Sequence, residues 1–165
     1  MDIELLRTVS IMRELNDSEL AAVAALFTLR TAKPKEKVLE EGMPVVNFYI
    51  VCDGVAHIRR LAQKREMLLG RLNKGMFFGE INLFDPGVST ASIYAMKDVK
   101  LAVCDYATLR AFMSANPATG YKIATGMMGE MARRLRSETV MTLPWIAQRL
   151  QMGGRHTLAN CLKSK

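Results

Sequence analysis

The sequence predicts a mainly β domain with helices at both ends. Three observations predict it. Apolar residues recur at helical spacing before residue 30 and again after Asp105. Between those stretches, short apolar runs alternate with polar turns at even intervals. The turns themselves carry Asp53-Gly54, Asn73-Lys74-Gly75 and Asp85-Pro86-Gly87. Strands this short and this regularly punctuated suggest an all-β roll or barrel.

Leu5, Leu6 and Val9 open the chain as a short apolar cluster. Asn16 then precedes Asp17-Ser18-Glu19, an N-cap with glutamate at the third helical position. Residues 19–29 carry Leu20, Val23, Ala24, Leu26 and Phe27 at amphipathic spacing, so helix is expected through about residue 30. From Thr31 the period changes, and Lys33-Pro34-Lys35 breaks any helix because proline lacks an amide donor and restricts its predecessor. Val38 and Leu39 form a strand closed by Glu41-Gly42. Residues 45–60 read as two strands joined by Asp53-Gly54, a hairpin signal because both residues tolerate positive φ. Further strands are expected at 67–72, 91–95 and 99–104, with Lys97-Asp98 turning between the last two. The apolar, glycine-interrupted segment 76–83 lies between them.

Helix returns at 106–113. Asn116-Pro117 reads as N-cap and first-turn proline of a longer helix running to about Glu138. Ile123, Met127, Met128, Met131 and Leu135 give it an apolar stripe, expected to pack on the β core or, alternatively, on another subunit. Arg133, Arg134 and Arg136 oppose the negative C-terminal end favourably. A last short helix is expected at 143–152, around Trp145, Ile146 and Leu150, and ended by Gly153-Gly154. The expected organisation is one domain over 1–137 and a helical tail over 138–165.

The whole-chain properties fit one globular domain. Of 165 residues, 50% are hydrophobic and 24% charged, enough to fill a core. The net charge of +7 favours acidic partners, leaving nucleic acid, an anionic membrane and an acidic protein all open. The three cysteines, Cys52, Cys104 and Cys161, form no CxxC pair or disulfide framework, and the first two sit in apolar runs as buried thiols. Met1-Asp2-Ile3-Glu4 lacks a signal-peptide pattern, and no segment approaches the roughly 18 apolar residues of a membrane span. A cytoplasmic protein without a membrane span is expected.

The most informative stretch is Gly75-Met76-Phe77-Phe78-Gly79-Glu80-Ile81-Asn82-Leu83-Phe84 and the residues that follow to Ala95. Gly79 lets the backbone turn sharply or approach a ligand. Residues 80–84 suit one helical turn whose first amides can meet a phosphate, and Glu80 can accept a hydrogen bond from a ribose hydroxyl. A glycine beside a glutamate is also simply a turn.

This stretch resembles the phosphate-binding cassette of the cyclic-nucleotide-binding family, which includes the catabolite activator protein and the regulatory subunits of cyclic-AMP-dependent protein kinase. The resemblance rests on Phe78-Gly79-Glu80, on Ile81 and Leu83, and on Ala95 before Lys97-Asp98-Val99. It extends to Glu41-Gly42, Asp53-Gly54, Gly75, the stretch 101–106 and Met131-Ala132-Arg133-Arg134-Leu135, covering roughly residues 10–137. It implies a jelly-roll-like β-roll with flanking helices, a bacterial regulatory signalling role, and no enzymatic activity. It implies a ligand site at Phe78, Gly79, Glu80, Ile81, Asn82, Ser89, Thr90 and Ala91. Backbone amides near Gly79 would meet the cyclic phosphate or ribose of cyclic AMP or cyclic GMP, and Glu80 would hold the ribose hydroxyl.

The family's phosphate-binding arginine falls at Ser89, and no Arg or Lys lies between Lys74 and Lys97. A guanidinium clamps phosphate with charge-assisted, often bidentate bonds, whereas serine offers a neutral hydroxyl. Three outcomes stay open: a pocket that has lost its ligand and serves as an interaction or scaffold module, a pocket for another anionic small ligand, or a distant basic side chain such as Arg59, Arg65 or Arg71 reaching in. The leading expectation is a stand-alone regulatory ligand-sensing module with atypical or reduced cyclic-nucleotide affinity.

Other chemistries find little support. His57 and His156 have no ligating partner at metal-binding spacing, and no Gly-x-Ser-x-Gly elbow or paired-acid signature is present. The 27 residues after Glu138 are fewer than the winged helix-turn-helix of the family's transcription factors needs. The helix over 117–138 is instead expected to hold a partner protein or a second copy.

Overall fold

The computed structural model describes residues 1–62 and 65–139. The expected helix at 143–152, with Trp145, and also Gly153-Gly154, His156 and Cys161 lie outside the described residues. The chain divides into two units at Met127/Met128, inside the last described helix.

Helix α1 (Ile3–Thr8) starts at Asp2, whose carboxylate accepts from the Glu4 amide at 3.0 Å. One 3-10 turn, Ser10–Met12, leads to α2 (Asp17–Ala24). The capping box forms as expected: Asn16 Oδ1 accepts from the Glu19 amide at 2.9 Å, and the Asn16 amide donates to Glu19 at 2.8 Å. Helix does not continue to residue 30. After buried Phe27 the chain becomes strand β1 (Thr28–Ala32), pairing in register with 99–103. A tertiary partner here overrides the local helical period.

The remaining strands are β2 (Lys37–Leu39), β3 (Asn47–Asp53), β4 (Ala56–Ala62), β5 (Arg65–Leu72), β6 (Phe77–Phe78), β7 (Ser92–Ala95) and β8 (Val99–Asp105). A four-residue helix, α3 (Ile81–Phe84), sits between β6 and β7. Two antiparallel four-stranded sheets result, ordered β1-β8-β3-β6 and β2-β7-β4-β5. Asp53-Gly54 is therefore not a hairpin turn. It reverses the chain, but β3 and β4 belong to different sheets. Lys97-Asp98 makes the matching crossing from β7 to β8, and the two corners touch: a Cβ on Gly54 would lie 2.7 Å from the Asp98 carbonyl oxygen. Asp-Gly chemistry encodes the reversal; the strand that receives the chain is set by packing.

Burial explains why β3 and β8 lack a clean polar alternation. Phe48 and Ile50 of β3, with Ala102 and Cys104 of β8, join Leu6, Ile11, Leu20, Phe27, Ile123 and Met127 in a cluster of helices on sheet. Tyr49 and Val51 point the other way, joining Val38, Ala56, Leu72, Phe78, Ile93 and Leu101 in the interior of the roll. A strand covered on both faces reads as a continuous apolar run.

Helices α4 (Tyr106–Ala115) and α5 (Pro117–Thr139) follow. Asn116 serves both helices: its carbonyl accepts from the Gly120 amide at 2.8 Å, opening α5 as expected, and its side-chain amide donates to the Phe112 carbonyl of α4 at 3.0 Å. Along α5, Ile123 and Met127 are buried while Met128 is 61% exposed, so the expected stripe is narrower than the sequence suggested. The first turn of α5 is tied to α2, because Glu19 accepts from Lys122 Nζ at 2.8 and 2.9 Å and from Thr119 Oγ1 at 3.1 Å. Lys122 first, then the Asn16 amide, holds the Glu19 carboxylate below its ordinary value of 4.5. The stabilisation is therefore present above that value and is lost as pH falls through the lower, folded-state value. Glu19→Gln is expected to lower the melting temperature at neutral pH, with the gap to wild type closing below pH 4.5. A gap that persists unchanged at strongly acidic pH would contradict this assignment.

Candidate functional site

The stretch from Phe78 to Ala91 is fixed at both ends by the roll. Phe78, on β6, is buried in its interior and stacks on Tyr49, with centroids 4.7 Å apart and planes within 4°. The next residue, Gly79, takes φ +82°. Glu80 follows at the cap position of α3 and is only 5% exposed, although its carboxylate does not cap that helix. Ile81 is exposed, Asn82 is half-buried and Leu83 turns into the core. Ser89 is buried, Thr90 exposed and Ala91 half-buried.

Two elements brace this loop. From one side, the segment after β2 clamps Ser89: the Gly42 amide donates to the Ser89 carbonyl at 2.8 Å, and the Ser89 amide donates to Met43 at 2.8 Å. From the other side, α4 reaches across. The Tyr106 hydroxyl donates to the Gly79 carbonyl, and the Arg110 guanidinium donates to the Leu83 carbonyl, with its Nε at 3.1 Å. Tyr106 and Arg110 stand four residues apart and therefore share a helix face. Burial, with Tyr49 and Glu80 nearby, pushes the Tyr106 phenol up to about 12, so it remains a donor at any ordinary pH. Tyr106→Phe is expected to destabilise the fold by about 1 kcal/mol in urea denaturation, the net worth of a typical hydrogen bond. No change in midpoint would show the bond to be idle.

Sequence reasoning missed Tyr106, Arg110 and the Gly42–Met43 clamp. The i, i+4 spacing of Tyr106 and Arg110 was the one visible signal, and nothing local names their distant acceptors. Of the basic residues suggested as reaching in, Arg59 is engaged elsewhere: it lies 3.0 Å from Glu66 and 5.4 Å over the Tyr94 ring, on the face of β4 opposite to buried Ala56. Arg65 and Arg71 are exposed on edge strand β5.

Metal ligation, membrane crossing and thiol reactivity can each be checked against the described residues. No group of three His, Cys, Asp or Glu side chains is placed to hold a metal there, and no helix is long and apolar enough to cross a membrane. Cys104 is buried, and burial raises its thiol to about 11, far from a reactive thiolate. Cys52 is only partly buried, contrary to the expectation of a buried thiol, yet it is shifted upward for the same reason.

Comparison with known proteins bears on this loop. The family model described as the cyclic nucleotide-binding domain matches residues 29–116, which include all of it. The chain is 30% identical over 134 residues to the CRP-like cAMP-activated global transcriptional regulator of Mycobacterium tuberculosis, covering 81% of this chain and 58% of that protein. It thus spans under two thirds of the length of that curated relative. Among solved structures, the N-terminal domain of a transcriptional regulator from Streptomyces coelicolor superposes with a TM-score of 0.71 at 27% identity, covering 81% of this chain and 94% of that one. A cyclic nucleotide-binding domain from Methylobacillus flagellatus gives a TM-score of 0.77 at 18% identity, covering 86% and 80%, a likeness of fold.

Proposed function

We propose that this chain, which belongs to the cyclic nucleotide-binding domain family, is a regulatory ligand-sensing module whose affinity for cyclic AMP and cyclic GMP is reduced. The ligand sits against Phe78, Gly79, Glu80, Ile81 and Asn82 on one side and Ser89, Thr90 and Ala91 on the other. Amides in the tight turn at Gly79 and the first turn of α3 meet the phosphate, and Glu80 accepts from a ribose hydroxyl.

One observation carries the reduced affinity. The Ser89 hydroxyl, standing where the resemblance places the phosphate-binding arginine, donates to the Ala91 carbonyl at 2.6 Å. It is turned onto its own loop, and it brings no charge to an incoming phosphate. The signal leaves through the bracing already described. A ligand that tightens the loop at Gly79 pulls on Tyr106 and Arg110, and α4 passes that shift to α5, where a partner protein or a second copy reads it.

Calorimetric titration with cyclic AMP and cyclic GMP tests the sensing role. Weak, saturable binding approaching millimolar ligand is the expected result. Silence at millimolar concentrations of both overturns it and favours the alternative, a non-catalytic interaction module with a degenerate pocket.

A further inference from the structure

We infer that Arg60 supplies the positive charge that the loop itself lacks, and that Glu41 is the positioning residue that holds it there. This rests on the cyclic-nucleotide reading of the same site. With no basic residue between Lys74 and Lys97, any cation for the ligand's phosphate comes from another element. The bracing segment points to which one. Glu41 immediately precedes the residues clamped to Ser89, and its amide donates to Ser92 Oγ at 3.0 Å. Its carboxylate accepts from the Leu61 amide at 2.9 Å and lies 3.6 Å from Arg60 Nε.

Strand geometry agrees. Pairing between β4 and β7 ends at Arg59 and Ser92, so the next step brings Arg60 level with Ala91. Ala56 and Ile58 face the roll interior, and strand alternation puts Arg60 on that same face. Its side chain is 61% exposed, and among the described residues Glu41 is its one ionic partner. Guanidinium has five N–H donors in a planar fork, so the ion pair at Nε leaves the terminal nitrogens to meet a phosphodiester. Sharing its charge with Glu41 and remaining open to water, Arg60 gives a weaker clamp than an arginine within the loop.

The test is calorimetric titration of the full chain with cyclic AMP at low ionic strength. Arg60→Ala is expected to weaken binding at least about 10-fold, as loss of a hydrogen bond to a charged group does. Arg60→Gln, a shorter polar side chain that keeps an N–H donor group without the charge, is expected to weaken it similarly and serves where the alanine variant does not fold. Adding Ser89→Arg to either is expected to restore binding, a rescue that a merely structural role for Arg60 would not permit. Glu41→Gln is expected to give a smaller loss with an altered salt dependence. Undiminished binding by both Arg60 variants overturns the inference and leaves the site standing. So does a silent wild type beside a Ser89→Arg chain that binds. Silence of both wild type and Ser89→Arg removes the site and the inference together.

Discussion

Ser89→Arg is expected to raise cyclic AMP affinity by about 30-fold or more. The figure takes the lower end of the roughly 2–5 kcal/mol that separates a paired from an unpaired charge in a closed site, at a factor of ten per 1.4 kcal/mol. The backbone is ready for the substitution. Ser89 is held by hydrogen bonds at both its amide and its carbonyl, to Met43 and Gly42, so a longer side chain starts from a fixed Cα. What the variant loses is the hydroxyl bond to Ala91 at 2.6 Å, about 1 kcal/mol of local stability. The gain is expected to be larger when Arg60 is also replaced, because the new guanidinium then meets no like charge. Titration of the four chains in that cycle measures both effects. No gain in either background would mean that the loop no longer encloses a space a phosphate can enter.

How much of this was legible in the sequence depends on how local each determinant is. The capping box at Asn16 and Glu19 was visible because its partners lie three residues apart. Strands β2, β5, β7 and β8 were visible from their apolar runs and turn residues, and the family resemblance located the loop. Three things were hidden. Strand β1 looked helical because its pairing with β8 is set by residues some 70 positions away. The sheet to which β3 and β4 each belong was misread because Asp-Gly signals only the reversal. The braces on the loop, Tyr106 to Gly79, Arg110 to Leu83 and Gly42 and Met43 to Ser89, join partners that no spacing rule connects, as does the Glu41–Arg60 ion pair beside it. Ser89 shows the reverse. The family resemblance implies a missing charge there, and the structure adds that its hydroxyl is turned onto Ala91.

Gly79→Ala is expected to be the most damaging single-methyl change in the loop, costing about 2–5 kcal/mol. Two effects combine. At φ +82° an L-residue loses about 1–2 kcal/mol to contact between its Cβ and the backbone. The new Cβ would also lie 2.6 Å from the Asn47 carbonyl oxygen, and overpacking of that kind adds about 1–3 kcal/mol. Asn47 cannot yield easily, because it begins β3 and is paired with Asp105 of β8, while Tyr49 two residues on is paired with Phe78. Relief must come from β6 moving away, and that pulls the Gly79 carbonyl from Tyr106 and shifts Glu80 from its buried position. Ligand binding should therefore fall along with stability. Gly42→Ala separates the two effects, since Gly42 has φ +81° but no atom within 4 Å of an added Cβ. Urea denaturation should show about 1–2 kcal/mol lost at Gly42 and distinctly more at Gly79. Equal losses would mean that β6 accommodates the methyl group freely, and the tight turn at Gly79 would then not be the fixed point on which the proposed site is built.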